Sequence, residues 1–173
     1  VAMAMPQVHI VAYCGDLGYG VARGADMLSL MLLLGIVSRI GSGFVSDRIG
    51  GTATLALGSV MQGVALFLYL WFDGLTSLYI VTAIFGLFQG GIVPMYAVII
   101  REFLPAREAG ARIGLVMAST IVGMAFGGYV SGAIFDFTAS YRAAFLNGLA
   151  WNMLNLAVVA WLMLRARPRL AVA

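Results

Sequence analysis

Apolar runs about as long as a membrane is thick alternate along this chain with short breaks that carry charges or turn residues. A helix needs about 20 mostly apolar residues to cross roughly 30 Å of hydrocarbon. Five stretches reach that length: 24–46, 53–72, 76–100, 112–135 and 142–164. The breaks between them are Asp47-Arg48-Ile49-Gly50-Gly51, Asp73-Gly74, the segment Arg101 to Arg112, and Asp136 to Tyr141. Residues 1–14 are apolar but too short to span, and their polar exit at Gly15-Asp16 reads as the end of a sixth helix whose beginning is missing. The runs are continuous and lack the two-residue period of a barrel strand. The pattern predicts an all-α integral membrane protein with several crossings.

Composition agrees. Of 173 residues, 62% are hydrophobic and 10% charged, with a mean hydropathy of +1.01. A soluble domain holds roughly 45–50% apolar and about 25% charged residues, so the lipid bilayer is the expected surrounding of this chain. Cys14 is the only cysteine, which excludes an internal disulfide and cysteine-based zinc or iron–sulfur sites. No metal and no cofactor is expected. The net charge of +3 comes from ten arginines, with no lysine, against seven carboxylates. That is too little for nucleic-acid binding on so apolar a chain. The sequence opens on Val1 without a basic segment or small-residue cleavage site, and it reads as a fragment.

Arginine placement sets the orientation, because cytoplasmic loops carry the excess of positive charge. With the partial first helix running outward, Arg48, Arg101, Arg107, Arg112, Arg165, Arg167 and Arg169 fall inside and only Arg23 and Arg142 outside. The C-terminus is therefore expected in the cytoplasm and the protein in a cell membrane, that of a bacterial inner membrane.

Arg39 belongs to neither group, standing about two-thirds of the way along 24–46. A cation at the centre of a transmembrane helix costs about 2.5–3.5 kcal/mol on insertion scales, so it normally faces a cavity or a partner. Three readings stand. Only about seven residues, roughly 10 Å of helix, separate Arg39 from Asp47, within snorkelling range of the cytoplasmic surface. An internal ion pair is the second. The third is an anion site, since a guanidinium pairs with a carboxylate through two parallel hydrogen bonds. The same helix ends in Gly43-Phe44-Val45-Ser46-Asp47-Arg48-Ile49-Gly50-Gly51. There Gly43 would let another helix approach, Gly50 would make the tight turn, and Asp47 and Arg48 would pair with neighbouring helix ends. An ordinary charged hairpin is the plainer alternative.

The spacing G-x-x-x-D-R-x-G resembles the loop pattern of the major facilitator superfamily, found between its helices two and three and, more loosely, eight and nine. The second placement makes residues 1–14 the end of helix seven and the five spans helices eight to twelve. The resemblance implies the C-terminal six-helix bundle of that fold, its first helix incomplete. Val8-His9-Ile10-Val11-Ala12-Tyr13-Cys14-Gly15-Asp16-Leu17-Gly18 looks like the end of helix seven in the monocarboxylate-transporter and oxalate–formate-antiporter branches. Those branches carry a substrate-linked arginine four residues before the loop's opening glycine, and Arg39 stands four before Gly43. Pro105-Ala106-Arg107-Glu108-Ala109-Gly110 and Gly132-Ala133-Ile134-Phe135-Asp136 are similar to the same group.

Three departures qualify this resemblance. The family's basic pair after Gly50 is replaced by Gly51-Thr52. Some monocarboxylate transporters have an acidic residue one turn before the arginine, where this chain has Gly35. Oxalate-type antiporters carry a second cation in helix eleven, and residues 113–135 contain none. One carboxylate is thus a better match than two, unless the missing half supplies the second cation.

Weaker signals complete the picture. His9 and Asp16 are candidates for proton coupling near an outer gate, with a merely hydrogen-bonding histidine as the plainer reading. Gln89-Gly90-Gly91 with Pro94 interrupts the third span, either as a packing kink or as a bend around a cavity with Gln89 as a polar contact. Asn147, Asn152 and Asn155 read as interhelical hydrogen bonds, and Gly123-x-x-x-Gly127 and Gly128-x-x-x-Gly132 as close-packing seams. Asp26 is expected as an interfacial charge near Arg23. The minimum motifs of intramembrane serine proteases, metalloproteases and ATPases are missing from the sequence, so no enzyme is expected.

The expected function is secondary transport of a small organic anion, a monocarboxylate, by alternating access. Arg39 and Gln89 contact substrate in this reading, Gly43, Asp47, Arg48 and Gly50 form the gating motif, and an N-terminal half is the missing partner. The alternative is a truncated or structural membrane protein without transport of its own.

Overall fold

A computed structural model describes residues 2–165, and every regular element among them is an α-helix. In chain order these are α1 (Ala4–Asp16), α2 (Val21–Ile49), α3 (Gly51–Leu68), α4 (Leu75–Gln89), α5 (Ile92–Phe103), α6 (Ala106–Thr138) and α7 (Tyr141–Arg165). Five segments are long and apolar enough to cross a membrane: α2, α3, α4 with α5 together, α6 and α7. The helices overrun the apolar stretches at most ends. Hydropathy locates the hydrocarbon layer, whereas a helix continues until something stops it. Between α5 and α6 only Leu104 and Pro105 are non-helical, so the expected break from Arg101 to Arg112 is mostly helix. Pro105 stops α5 and opens α6, because proline starts a helix easily but cannot continue one. Gly50 makes the expected sharp turn at φ +84°, a backbone region where a side chain is strained.

Connections are short, so sequential spans lie antiparallel, with α4 and α5 continuing one span. α2 packs along α4, α3 along α7, and α1 against α2 and α6. The tightest approach is α2 on α4. A Cβ on Gly86 would stand 2.8 Å from the Met31 Cα, and one on Gly90 only 2.6 Å from the Gly35 Cα. Gly24 lets α2 meet α1 in the same way, 2.6 Å from the Val11 Cα. These small residues carry the close packing. Of the seams expected on α6, Gly127 is buried, whereas Gly123 has nothing within 4 Å among the described residues and Gly128 and Gly132 make only ordinary contacts with Val8 and His9. The expected close approach at Gly43 is likewise absent within the described residues. Spacing alone reveals which glycines share a face but not which face meets a neighbour.

The apolar core gathers Met5, Ile10, Cys14, Met27, Met31 and Leu66 around an aromatic stack. In that stack Tyr69 lies flat on Phe145 at 4.8 Å. Buried polar groups tie the helices across this core. The Tyr69 and Thr82 hydroxyls share a hydrogen bond of 2.7 Å. Asn152 donates to the Gln62 side-chain oxygen at 3.0 Å and Asn155 to the Ser59 hydroxyl at 2.8 Å, the interhelical role expected of both asparagines. Asn147 differs, its side-chain nitrogen being buried without a partner among the described residues.

The two ends of the bundle are built differently. At one end Asp73, in the α3–α4 turn, accepts a hydrogen bond from the Tyr13 hydroxyl at 2.8 Å and pairs with Arg142 at 3.6 Å. Tyr141 donates to Asp16 there at 2.6 Å, and Arg23 pairs with Asp26 at 3.9 Å as expected. At the opposite end the Gly51 N–H donates to a Glu102 carboxylate oxygen at 2.7 Å, joining the start of α3 to the end of α5. Arg48, Arg101, Arg107 and Arg165 stand at or beside helix ends on this second side, with Arg112 less than two turns into α6. Arg167 and Arg169, counted in the charge bias, lie outside the described residues.

Candidate functional site

Arg39 and Gln89 meet at one cavity. It has a volume of about 280 Å³ and is lined by Gly35, Ile36 and Arg39 of α2, Gln89 and Gly90 at the end of α4, and Gln7 of α1. Three local features build it. α2 runs unbroken through Arg39, so the guanidinium stem is held by a rigid element. The third span breaks after Gln89, which places that amide at a helix end. Gly35 adds no side chain to the hollow, and a Cβ there would make an ordinary contact of 3.9 Å with the Gln89 side-chain nitrogen. Gln89 is 5% exposed, buried but open to the cavity.

Arg39 itself is exposed, on a face of α2 that also exposes Leu32, Leu33, Ile36, Ile40 and Phe44. Two ion pairs form among the described residues, Arg23–Asp26 and Arg142–Asp73, and Arg39 is in neither. The internal ion pair weighed for Arg39 is therefore not made by the described residues. Among the described residues, the only hydrogen bond to Arg39 from a side chain involves its backbone, whose carbonyl accepts from the Ser42 hydroxyl at 3.0 Å. A guanidinium, an amide that can donate and accept, and a second amide at Gln7 around one hollow can hold a small anion with one polar substituent.

The remaining site candidates are scattered. His9 sits on α1 with its Nε2 3.3 Å from the Gly128 carbonyl, a bond that ties α1 to α6. Asp16 accepts from Tyr141 in the polar end described above. Neither lines the cavity of Arg39. Asp47 and Arg48 are exposed at the end of α2, and neither forms an ion pair among the described residues. Gly50 supplies the turn.

Two structural features escaped sequence reasoning. Gln7 reaches the cavity from α1, although its neighbour His9 is the residue that draws the eye as titratable. Glu102 caps α3, and its partner explains the departure at Gly51. A Cβ on Gly51 would lie 2.9 Å from the Val98 Cγ1 and 3.2 Å from the Glu102 Oε1. A basic residue at Gly51, as the family pattern has, would need α5 to stand further off.

A second, larger hollow of about 420 Å³ opens beside Ala2 and Met3 between α5, α6 and α7. Gln62, Asn152 and Asn155 line it. The Gln62 nitrogen and the Asn152 oxygen there are buried without partners among the described residues.

Comparison with known proteins bears directly on this arrangement. The family model described as Major Facilitator Superfamily matches residues 1–172. Monocarboxylate transporter 13 of Bos taurus is 30% identical over 144 residues, covering 82% of this chain and 34% of that protein. Its counterpart in Rattus norvegicus matches with the same identity and coverage. The MFS-type transporter pynF of Aspergillus niger is 24% identical, over 76% of this chain and 31% of its own length. The chain thus spans about a third of the length of these relatives. With the family model covering nearly every residue and the helical, multi-pass architecture that it implies in place, the chain belongs to the major facilitator superfamily of membrane transporters.

Proposed function

We propose that this chain is the C-terminal half of a secondary transporter for a small organic anion, a monocarboxylate, in which Arg39 holds the carboxylate and Gln89 contacts its polar substituent. One observation carries the reading: an arginine without an ion-pair partner among the described residues, on an open apolar face, sharing a cavity with a buried amide. Left facing lipid, that charge would be costly. Facing a second half across a water-filled path, it would be available to an anion. The names of the monocarboxylate transporters among its relatives support the same substrate class.

In this reading α1 is the last part of helix seven, α2 is helix eight and α3 helix nine. The broken pair α4–α5 is helix ten, and α6 and α7 are helices eleven and twelve. The hollow beside Ala2 and Met3 is where earlier turns of helix seven would lie. The end carrying Arg48 and Arg101 faces the cytoplasm, following the arginine bias. Such carriers rock one half against the other around a central substrate. Asp47 and Arg48, unpaired among the described residues, are then latches for the cytoplasmic end of the other half. A coupling role for His9 has less support, because its ring is engaged with the Gly128 carbonyl.

The test is uptake of radiolabelled pyruvate by the complete carrier in liposomes. Arg39→Ala should abolish it, and Arg39→Lys should reduce it strongly, keeping the charge while losing the two-pronged geometry. Full uptake by Arg39→Ala removes the binding role.

A further inference from the structure

At the break in the third span a side chain of the arginine helix takes up a backbone N–H. α4 ends at Gln89 and α5 begins at Ile92. Pro94 has no N–H to offer the Gly90 carbonyl four residues earlier, so the helical ladder is weakened there from the sequence upward. The Gly91 N–H leaves the ladder altogether and donates to the Ser38 hydroxyl oxygen at 3.0 Å, in a buried bond. Ser38 is 7% exposed and immediately precedes Arg39. The surroundings are close-packed along the same stretch of α2. A Cβ on Gly90 would stand 2.6 Å from the Gly35 Cα, and one on Gly91 2.6 Å from the Ser42 Cβ. Gln89, the last residue before the break, lines the cavity with Arg39.

We infer that Ser38 is a positioning residue. Through the Gly91 N–H it couples the segment of α2 that carries Arg39 to the hinge between α4 and α5. A ligand drawn to Arg39 and Gln89 thereby pulls on both sides of one hydrogen bond, and α5 moves with α2. Without the bond α5 swings independently of the arginine, and closure around a ligand is no longer transmitted. Ser38 acts in this way on the conformational step, not on ligand contact. The inference rests on the assignment of Arg39 as the anion site.

Two measurements on the complete carrier test it. The first needs no substrate: amide hydrogen exchange in peptides covering residues 90–95. Ser38→Ala should raise exchange about tenfold, the effect of losing one buried hydrogen bond, and Ser38→Thr, which keeps the hydroxyl, should restore protection. Unchanged exchange in Ser38→Ala overturns the hinge bond. The second is pyruvate uptake. Ser38→Ala should lower the maximal rate about tenfold with KM unchanged within about twofold, and Ser38→Thr should recover most of the rate. A raised KM at full maximal rate, or failure of the threonine variant to recover, overturns the positioning role. Running Arg39→Ala beside these separates the two ideas: full uptake there rejects the anion site, while the exchange result still reports on the hinge.

Discussion

Arg39 shows what a single residue can and cannot disclose before a structure exists. Its type, and its position within an apolar stretch, mark it as exceptional by cost alone. The structure adds that it shares a cavity with Gln89, fifty residues further along the chain, and that neither ion pair among the described residues includes it. No periodicity connects Arg39 to Gln7, because α1 and α2 meet through packing that the sequence encodes only in the sizes of residues such as Gly24. Gly51 is the opposite case. Read in sequence, it was a missing basic residue; in the fold it is a site with no room for a side chain and with its N–H committed to Glu102. Gly51→Arg should therefore destabilise the protein by about 1–3 kcal/mol, as overpacked sites do, rather than restore a charge network. Thermal unfolding of the detergent-solubilised carrier measures this. An unchanged midpoint would show that α5 yields easily.

Among the helices, existence and order were legible from hydropathy, because five spans of bilayer length can hardly be anything else. Their ends were less so. α6 begins at Ala106, six residues before the apolar stretch does, since charged residues beyond the membrane surface still form good helix. The interior break of the third span was visible in Gln89-Gly90-Gly91 and Pro94, and its two proposed meanings coincide: Gly90 packs on Gly35, and the break opens beside a cavity. The tightest packing lies between α2 and α4 rather than along the small-residue repeats of α6, because a small-residue repeat does not say what lies opposite. That difference is measurable. Gly86→Ala, which drives a methyl into the Met31 backbone, should cost about 1–3 kcal/mol of stability. Gly110→Ala, with nothing within 4 Å among the described residues, should be neutral or gain up to about 1 kcal/mol from helix propensity. Equal unfolding midpoints for the two variants would contradict this assignment of the contact.

Taken whole, the molecule is asymmetric in a way that bears on its role. One end is tied by the Tyr13–Asp73–Arg142 and Tyr141–Asp16 contacts, the other by Gly51–Glu102. Two of its long helices, α2 and α6, leave broad apolar faces open, with Phe44, Ile40, Ile121, Val122 and Tyr129 all more than 60% exposed. Lipid could cover such faces, but lipid does not suit Arg39. The central claim is that the face of α2 around Arg39 looks onto water and a second half of the carrier. It is tested most directly by cysteine accessibility in the complete carrier, with Cys14 and any other native cysteine replaced by serine. Arg39→Cys should react with a membrane-impermeant thiol reagent, and Ile36→Cys, which lines the same cavity and keeps Arg39, should react as well, more slowly when pyruvate is present. Arg39→Cys that stays unlabelled in the folded carrier, as a residue facing hydrocarbon would, contradicts the claim.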